Sequence, residues 1–159
     1  MHASSYETMR ILLDRHRALL PGRPRVADVG ASDVNGTYKP LLAGWADYTG
    51  IDLAAGPNVD LIAAPYEVPG APYDAILCGQ VLEHTEDMPR LVAAIAAALR
   101  LGGVCFLAAP HTWEEHRYPV DCWRIFPDGM EWLLRGAALD RVEVFRCETD
   151  TWGVGRRPA

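Results

Sequence analysis

The sequence predicts a doubly wound α/β domain, a mostly parallel sheet with helices on both faces and an antiparallel strand near its C-terminus. Three observations carry that reading. Short apolar runs at 25–29, 48–51, 59–63, 73–78 and 104–108 alternate with helix-like stretches. The first run ends in Asp28-Val29-Gly30 and opens into a turn of small residues, Ala31-Ser32-Asp33. A second acid, Asp52, closes the next run, and an acid about 20 residues after such a turn suits the two hydroxyls of a ribose.

Each element follows from local pattern. Ser4 and Glu7 have the spacing of a capping box. Tyr6, Met9, Leu13, His16 and Leu20 then recur every three or four residues, the face of a helix that Pro21-Gly22 stops. Residues 25–29 form a short strand, apolar as a buried parallel strand should be. Asn35 is a candidate for an Asx turn in the segment that follows, and a short helix spans 37–43. Residues 48–51 are the second strand and 59–63 the third. Only 53–58 separate them, too few for a crossover helix of ten or more residues, so one crossover is reduced to a loop.

Residues 73–78 are the fourth strand. Thr85 or Asp87 caps the next helix, Pro89 sits in its first turn, and Leu91, Val92, Ile95 and Leu99 form its buried face. Gly102-Gly103 ends it before the fifth strand at 104–108. An irregular segment, 110–126, precedes a last helix at 127–135, ended by Gly136. Runs at 142–147 and 151–154 are close enough to pair as a hairpin.

Composition bounds the function. The 159 residues fit one domain, half of them hydrophobic, with a helix in 1–22. The charge of −6, from 15 basic and 21 acidic side chains, argues against nucleic-acid binding. There is no apolar run of ~18 residues, so no membrane span is expected. Glu7, Arg10 and Asp14 stand where a signal peptide needs an apolar core, which predicts a cytoplasmic protein. Cys78, Cys105, Cys122 and Cys147 form no Cys-x-x-Cys pair and read as reduced thiols.

Four blocks taken together resemble the class I S-adenosylmethionine-dependent methyltransferases: Val26-Ala-Asp-Val-Gly-Ala31, Gly50-Ile-Asp-Leu53, Tyr73-Asp-Ala-Ile-Leu-Cys-Gly-Gln-Val-Leu-Glu-His84 and Leu99-Arg-Leu-Gly-Gly-Val104. Ser32-Asp-Val-Asn-Gly-Thr-Tyr38 and His116-Arg-Tyr-Pro-Val-Asp-Cys-Trp-Arg124 are similar to a bacterial group of small methyltransferase-domain proteins with no single substrate. The resemblance implies a Rossmann-like methyltransferase sheet and S-adenosylmethionine as cofactor, released as S-adenosylhomocysteine. It implies cofactor contacts from Asp28, Gly30, Ala31, Asp52, Leu53 and Gln80. The chain departs from the usual Gly-x-Gly-x-Gly loop, with Ser32 and Val34 at its second and third glycine positions and Gly36 two residues late. Ala63-Ala64-Pro65 stands where the family often has an acid beside the adenine, and Tyr66 and Glu67 are nearby candidates to replace it.

The segment 110–126 is the expected substrate wall, because loops on a rigid scaffold tend to hold function. His111, two residues past the fifth strand, is the first candidate for a general base, and His116 the second. His84, Trp113, Tyr118, Trp123 and Arg124 are the expected substrate contacts. Arg124 pairing with Asp121 inside a stapled lid is the competing reading of that segment, as is simple packing for His84. His111, His116 and Asp121, with Glu114 or Glu115, are ligand types for zinc or iron. Their spacing matches no compact motif, and no metal is assigned. The expected reaction is methyl transfer to a small-molecule metabolite or a carrier-bound intermediate, with no nucleic acid or membrane involved. A second copy of the chain or a partner protein would help cover so small a site. The alternatives are a repurposed or non-catalytic member of the fold and, more distantly, a nicotinamide-dependent oxidoreductase. The last lacks Gly-x-Gly-x-x-Gly and a substrate domain.

Overall fold

The computed structural model describes residues 3–159. Seven strands, β1 (Arg25–Val29), β2 (Asp47–Asp52), β3 (Leu61–Ile62), β4 (Tyr73–Gly79), β5 (Leu99–Pro110), β6 (Asp140–Cys147) and β7 (Asp150–Arg156), form one sheet in the order β3-β2-β1-β4-β5-β7-β6. Strands β1 to β5 pair in parallel, and β7 pairs antiparallel with both β5 and β6. Chain order reverses between β1 and β4, so the carboxyl ends of these two strands border the crevice where open α/β sheets bind ligands.

Alternation along the strands sorts the core into two layers. Val26, Leu77, Phe106 and the fully buried Trp152 pack on one face with Met9, Leu12 and Leu13 of α1 (Ala3–His16) and Leu42 of α2 (Lys39–Leu42). Ala27, Ile76, Cys105 and Leu107 pack on the other with Leu91, Val92 and Ile95 of α3 (Met88–Ala98) and Met130, Leu133 and Leu134 of α4 (Pro127–Gly136). Asp87 is the residue that caps α3, its Oδ1 accepting from Arg90 N–H at 3.1 Å.

Several sequence expectations are corrected. Helix α1 has already begun at Ala3, so Ser4 lies inside it, and the Glu7 carboxylate pairs with Arg10 instead of closing a capping box. The helix ends at His16, and Arg17–Leu19 continue it as a 3₁₀ turn. Strand β3 is two residues long, and neither the β2–β3 nor the β3–β4 connection carries a helix, so two crossovers are reduced instead of one. Leu99 belongs to β5, not to the helix before it: α3 stops at Ala98, and Leu99 pairs with Tyr73. Gly102-Gly103 therefore lies inside a bulged strand. Gly102 has φ +74°, and Gly103 lies so close to the carbonyls of Tyr73, Asp74 and Arg100 that an added Cβ would sit 3.0–3.2 Å from them. Arg157 donates to the Ala97 and Leu99 carbonyls at this junction, which satisfies groups left open by the helix end.

Candidate functional site

The turn after β1 is held from below by β2. Gly30 N–H and Ala31 N–H both donate to the Ile51 carbonyl, at 2.9 and 3.1 Å. Gly30 has φ +80°, and a Cβ there would meet Val81 Cγ2 at 2.2 Å, so the position demands glycine on both counts. Ser32 N–H donates to Asp52 Oδ2 at 3.0 Å, and Leu53 N–H to Asp52 Oδ1 at 2.7 Å. A carboxylate accepts about four hydrogen bonds. Two positions on this partly exposed group are thus taken by the backbone that shapes the site, and about two remain. Leu53 stands beside it, 58% exposed.

The loop after β2 closes over the same turn. Asp33 N–H donates to the Pro57 carbonyl at 3.1 Å, and a Cβ on Gly56 would lie 2.7 Å from Ser32 Oγ. Gly50 N–H donates to Asp60 Oδ2 at 2.7 Å, and a Cβ on Gly50 would collide with the Asn58 carbonyl. The missing crossover helix therefore leaves room for a loop that braces the turn, and Ser32 lies half-buried against it where the family pattern has glycine. Asp33 also ties this region locally, its Oδ1 accepting from Gly36 N–H three residues on at 2.8 Å.

Asp28 lies beneath the turn, 3% exposed, with Tyr48 Oη donating to its Oδ2 at 3.2 Å. Burial pushes its pKa up to about 7; the Tyr48 hydrogen bond opposes this, and the Asp52 charge adds to it. In the unfolded chain the group ionises near its ordinary 3.8. Between those two values the folded protein keeps a proton that the unfolded one has released. Stability contributed at low pH is therefore lost as pH rises through this window and levels off above about 7. The ceiling on that loss is about 4 kcal/mol, at 1.36 kcal/mol per unit. Asp28→Asn should flatten the decline. Urea unfolding of variant and parent at pH 5 and pH 8 checks this, and parallel stability curves would contradict it.

The carboxyl end of β4 forms the other lip. Gln80 adopts φ 61°; its N–H donates to the Ala108 carbonyl at 2.8 Å and its Nε2 to Asp150 Oδ2 at 2.9 Å. Leu82–His84 make a 3₁₀ turn. Glu83 in that turn is fully buried, and neither carboxylate oxygen has a hydrogen-bond partner. Burial raises its pKa to about 8. His84 Nε2 lies 3.7 Å from Glu83 Oε1, while its Nδ1 donates to the Val120 carbonyl at 2.6 Å. The His84 and His116 rings meet edge to face, 4.8 Å between centroids.

The segment 111–126 is anchored to this turn. Cys122 N–H donates to the Glu83 carbonyl at 2.7 Å, and Trp123 Nε1 to the Thr85 carbonyl at 2.7 Å. Arg124 organises the segment from within. Its guanidinium donates to both Asp121 oxygens and to the carbonyls of Trp113, Glu114 and Trp123, which uses all five N–H groups. Arg124 holds the Asp121 carboxyl well below the usual carboxylate range, and Asp121 also accepts from His116 N–H at 2.7 Å. Trp113, Tyr118, Trp123 and Phe126 remain 42–60% exposed along the rim.

A methyltransferase-domain family profile matches residues 5–141. The chain belongs to that family. Its seven-stranded sheet with an antiparallel β7 is the Rossmann-like sheet of class I S-adenosylmethionine-dependent methyltransferases. Solved structures agree on the fold. The CurJ carbon methyltransferase superposes with TM-score 0.73 at 15% identity over 98% of this chain and 54% of that one. A Burkholderia thailandensis 1,6-didemethyltoxoflavin-N1-methyltransferase, solved with 1,6-didemethyltoxoflavin and S-adenosylhomocysteine, gives 0.72 at 21% identity over 98% and 79%. An S-adenosylmethionine-dependent methyltransferase from Archaeoglobus fulgidus gives 0.70 at 13% over 96% and 94%. The chain thus spans about half the length of the first of these proteins. No curated protein matches the chain. Among the described residues no helix is long and apolar enough to cross a membrane.

The residues present fit the cofactor. The turn at 30–32 brings bare backbone to the crevice, and Asp52 keeps acceptor positions free beside the exposed Leu53. Asp52, half-exposed at the end of β2, and the Asp28 carboxyl beneath the turn supply acceptor oxygens on the side of a ligand that carries a sulfonium and an ammonium. Of the other candidates named from sequence, the fold gathers His84 and His116 at the end of β4, whereas His111 tilts against Phe126 with its Nδ1 buried and unpartnered. The suggested grouping of His111, His116 and Asp121 as metal ligands does not assemble, because Asp121 is committed to Arg124 and the His116 backbone. Arg124, expected as a substrate contact, spends its donors inside the segment. Glu83 stands in the Leu-Glu-His block just past the fourth strand, but no periodicity marks its carboxyl group as buried. Tyr48 and Asp150 were missed for the same reason, since their partners Asp28 and Gln80 are 20 and 70 residues away.

Proposed function

We propose that this enzyme moves the methyl group of S-adenosylmethionine to a small-molecule metabolite or a carrier-bound intermediate in the cytoplasm. The observation that carries the reading is the acceptor side of the crevice. There the Glu83–His84–His116 cluster at the end of β4 is tied, through Cys122 N–H, Trp123 Nε1 and the Val120 carbonyl, to the segment that carries the exposed rings of Trp113, Tyr118 and Trp123. Aromatic walls around a few converging polar groups suit a compact acceptor, and a net charge of −6 suits nucleic acid poorly.

The cofactor supplies an electrophilic methyl group on sulfur. Asp52 would accept from the ribose hydroxyls, Leu53 cover one face of the adenine, and the Gly30-Ala31 backbone seat the methionine portion. Gln80, fixed by Asp150, would shape the space around the methyl group. His116 donates through Nδ1 to the Glu114 carbonyl, 3.1 Å away, which leaves Nε2 free to take a proton from the acceptor. His111 remains a second base candidate, with a buried unpartnered Nδ1. Trp113, Tyr118 and Trp123 would hold the acceptor in line. A second copy of the chain, or a partner protein, would close the rim they leave exposed.

Incubating the enzyme with methyl-labelled S-adenosylmethionine and a fractionated cell extract tests this reading. Label should appear in the small-molecule or carrier-bound fraction. Label confined to nucleic acid would overturn it.

A further inference from the structure

Glu83 poses a problem that the methyl-transfer reading leaves unsolved. A carboxylate buried without a donor is strongly disfavoured, yet Glu83 is fully buried with both oxygens unpartnered. His84 Nε2 lies 3.7 Å from its Oε1. The other nitrogen of that ring is fixed by the Val120 carbonyl, and the Nδ1 of His116 is held by the Glu114 carbonyl. Fixing one ring nitrogen on a carbonyl and presenting the other is how metal-binding histidines are oriented. One ligand atom from each of Glu83, His84 and His116 falls within 4.8 Å of the others.

We propose that Glu83, His84 and His116 bind one divalent transition-metal ion, zinc being the best match. Two imidazoles and one carboxylate are the ligand set of open zinc and non-haem iron sites, which keep a position for water or substrate. Bonds of about 2.0–2.1 Å at tetrahedral angles place ligand atoms roughly 3.3 Å apart. Glu83 and His84 are already near that spacing. His116 sits on the partly exposed segment and can close the remainder. The ion would satisfy the bare carboxylate and tie the 111–126 segment to the end of β4. It would also offer a Lewis acid where the acceptor is expected, and with His116 Nε2 on the ion the role of base would pass from His116 to His111. The site requires neither bound cofactor nor any particular acceptor.

The test uses the full chain, stripped with chelator and titrated with CoCl₂, followed by competition with ZnCl₂. One equivalent of cobalt should bind and develop the visible absorption of a low-symmetry site, and zinc should displace it. His116→Ala, at a surface position, should fold as the parent does and weaken binding at least ten-fold, as loss of even an outer partner can. His84→Ala should do the same, and Cys122→Ser, which removes an exposed neighbouring thiol, should bind as the parent does. Should His84→Ala fail to fold, proton NMR of the cobalt form of the parent decides: two imidazole N–H signals should shift far outside the diamagnetic range. No binding to the parent, binding unchanged in His116→Ala, or no shifted imidazole signals would overturn the proposal. Each readout is independent of methyl transfer, so a failed metal site and a failed acceptor assignment are told apart.

Discussion

Asp52→Ala should weaken S-adenosylmethionine and S-adenosylhomocysteine binding by about 1–3 kcal/mol, the scale for leaving buried polar partners unpaired. That corresponds to roughly five- to 150-fold in Kd. The carboxylate does two things at once. It accepts from Ser32 N–H and Leu53 N–H, which sets the turn against the end of β2, and its remaining lone pairs are those proposed to take the ribose hydroxyls. Asp52→Asn separates the two. The amide keeps one oxygen for the backbone, so its loss should fall between parent and Ala. Calorimetric titration of the three proteins checks the order, and parental affinity in Asp52→Ala would show that the ribose binds elsewhere.

The second large effect is expected at Arg124. Its five donors hold together Trp113, Glu114, Asp121 and Trp123. Without them the rim rings and His116 lose their fixed positions over the crevice. Misplacement by an ångström far from the reacting atoms can slow a reaction on the order of 100-fold. Arg124→Ala should therefore lower kcat/KM for the acceptor by about that factor. Cofactor affinity should stay at the parental value, because Arg124 makes no bond to the turns after β1 and β2. Amide hydrogen exchange should rise across 111–123 and nowhere else. Arg124→Lys should not restore activity, since an ammonium has three donors and cannot span these acceptors. Unchanged exchange in the Ala variant would mean that the segment is held by other contacts.

The two predictions differ in how far sequence alone leads to them. Asp52 was readable because it stands at a strand end, a fixed distance after a glycine turn, and strand ends are set by short-range pattern. The same holds for the succession of strands along the chain up to β5 and for the hairpin that follows it. Arg124 could be listed but not assigned, because its partners are backbone carbonyls, which carry no sequence signature. The helix boundary at Leu99 was misjudged for a related reason. Leu99 continues the apolar spacing of α3, and only its pairing with Tyr73, with the bulge at Gly102-Gly103, draws it into β5. The turn at Ser32 and Val34 departs from the family spacing, yet the structure supplies what the pattern lacks. Loop 53–60, freed by the absent crossover helix, packs on Ser32 and bonds Asp33, a tertiary contact that residue type does not announce. Glu83 shows the limit most clearly, because the chemistry of a carboxylate depends on burial and unmet hydrogen bonds, and both are properties of the folded chain.

The central claim is that the braced, atypical turn after β1 still forms a working cofactor site with Asp52. Calorimetric titration of the purified chain with S-adenosylhomocysteine, S-adenosylmethionine and NADH tests it most directly. One-to-one binding of the first two, with none of NADH, is the predicted result. Absence of binding by both sulfur compounds would contradict it.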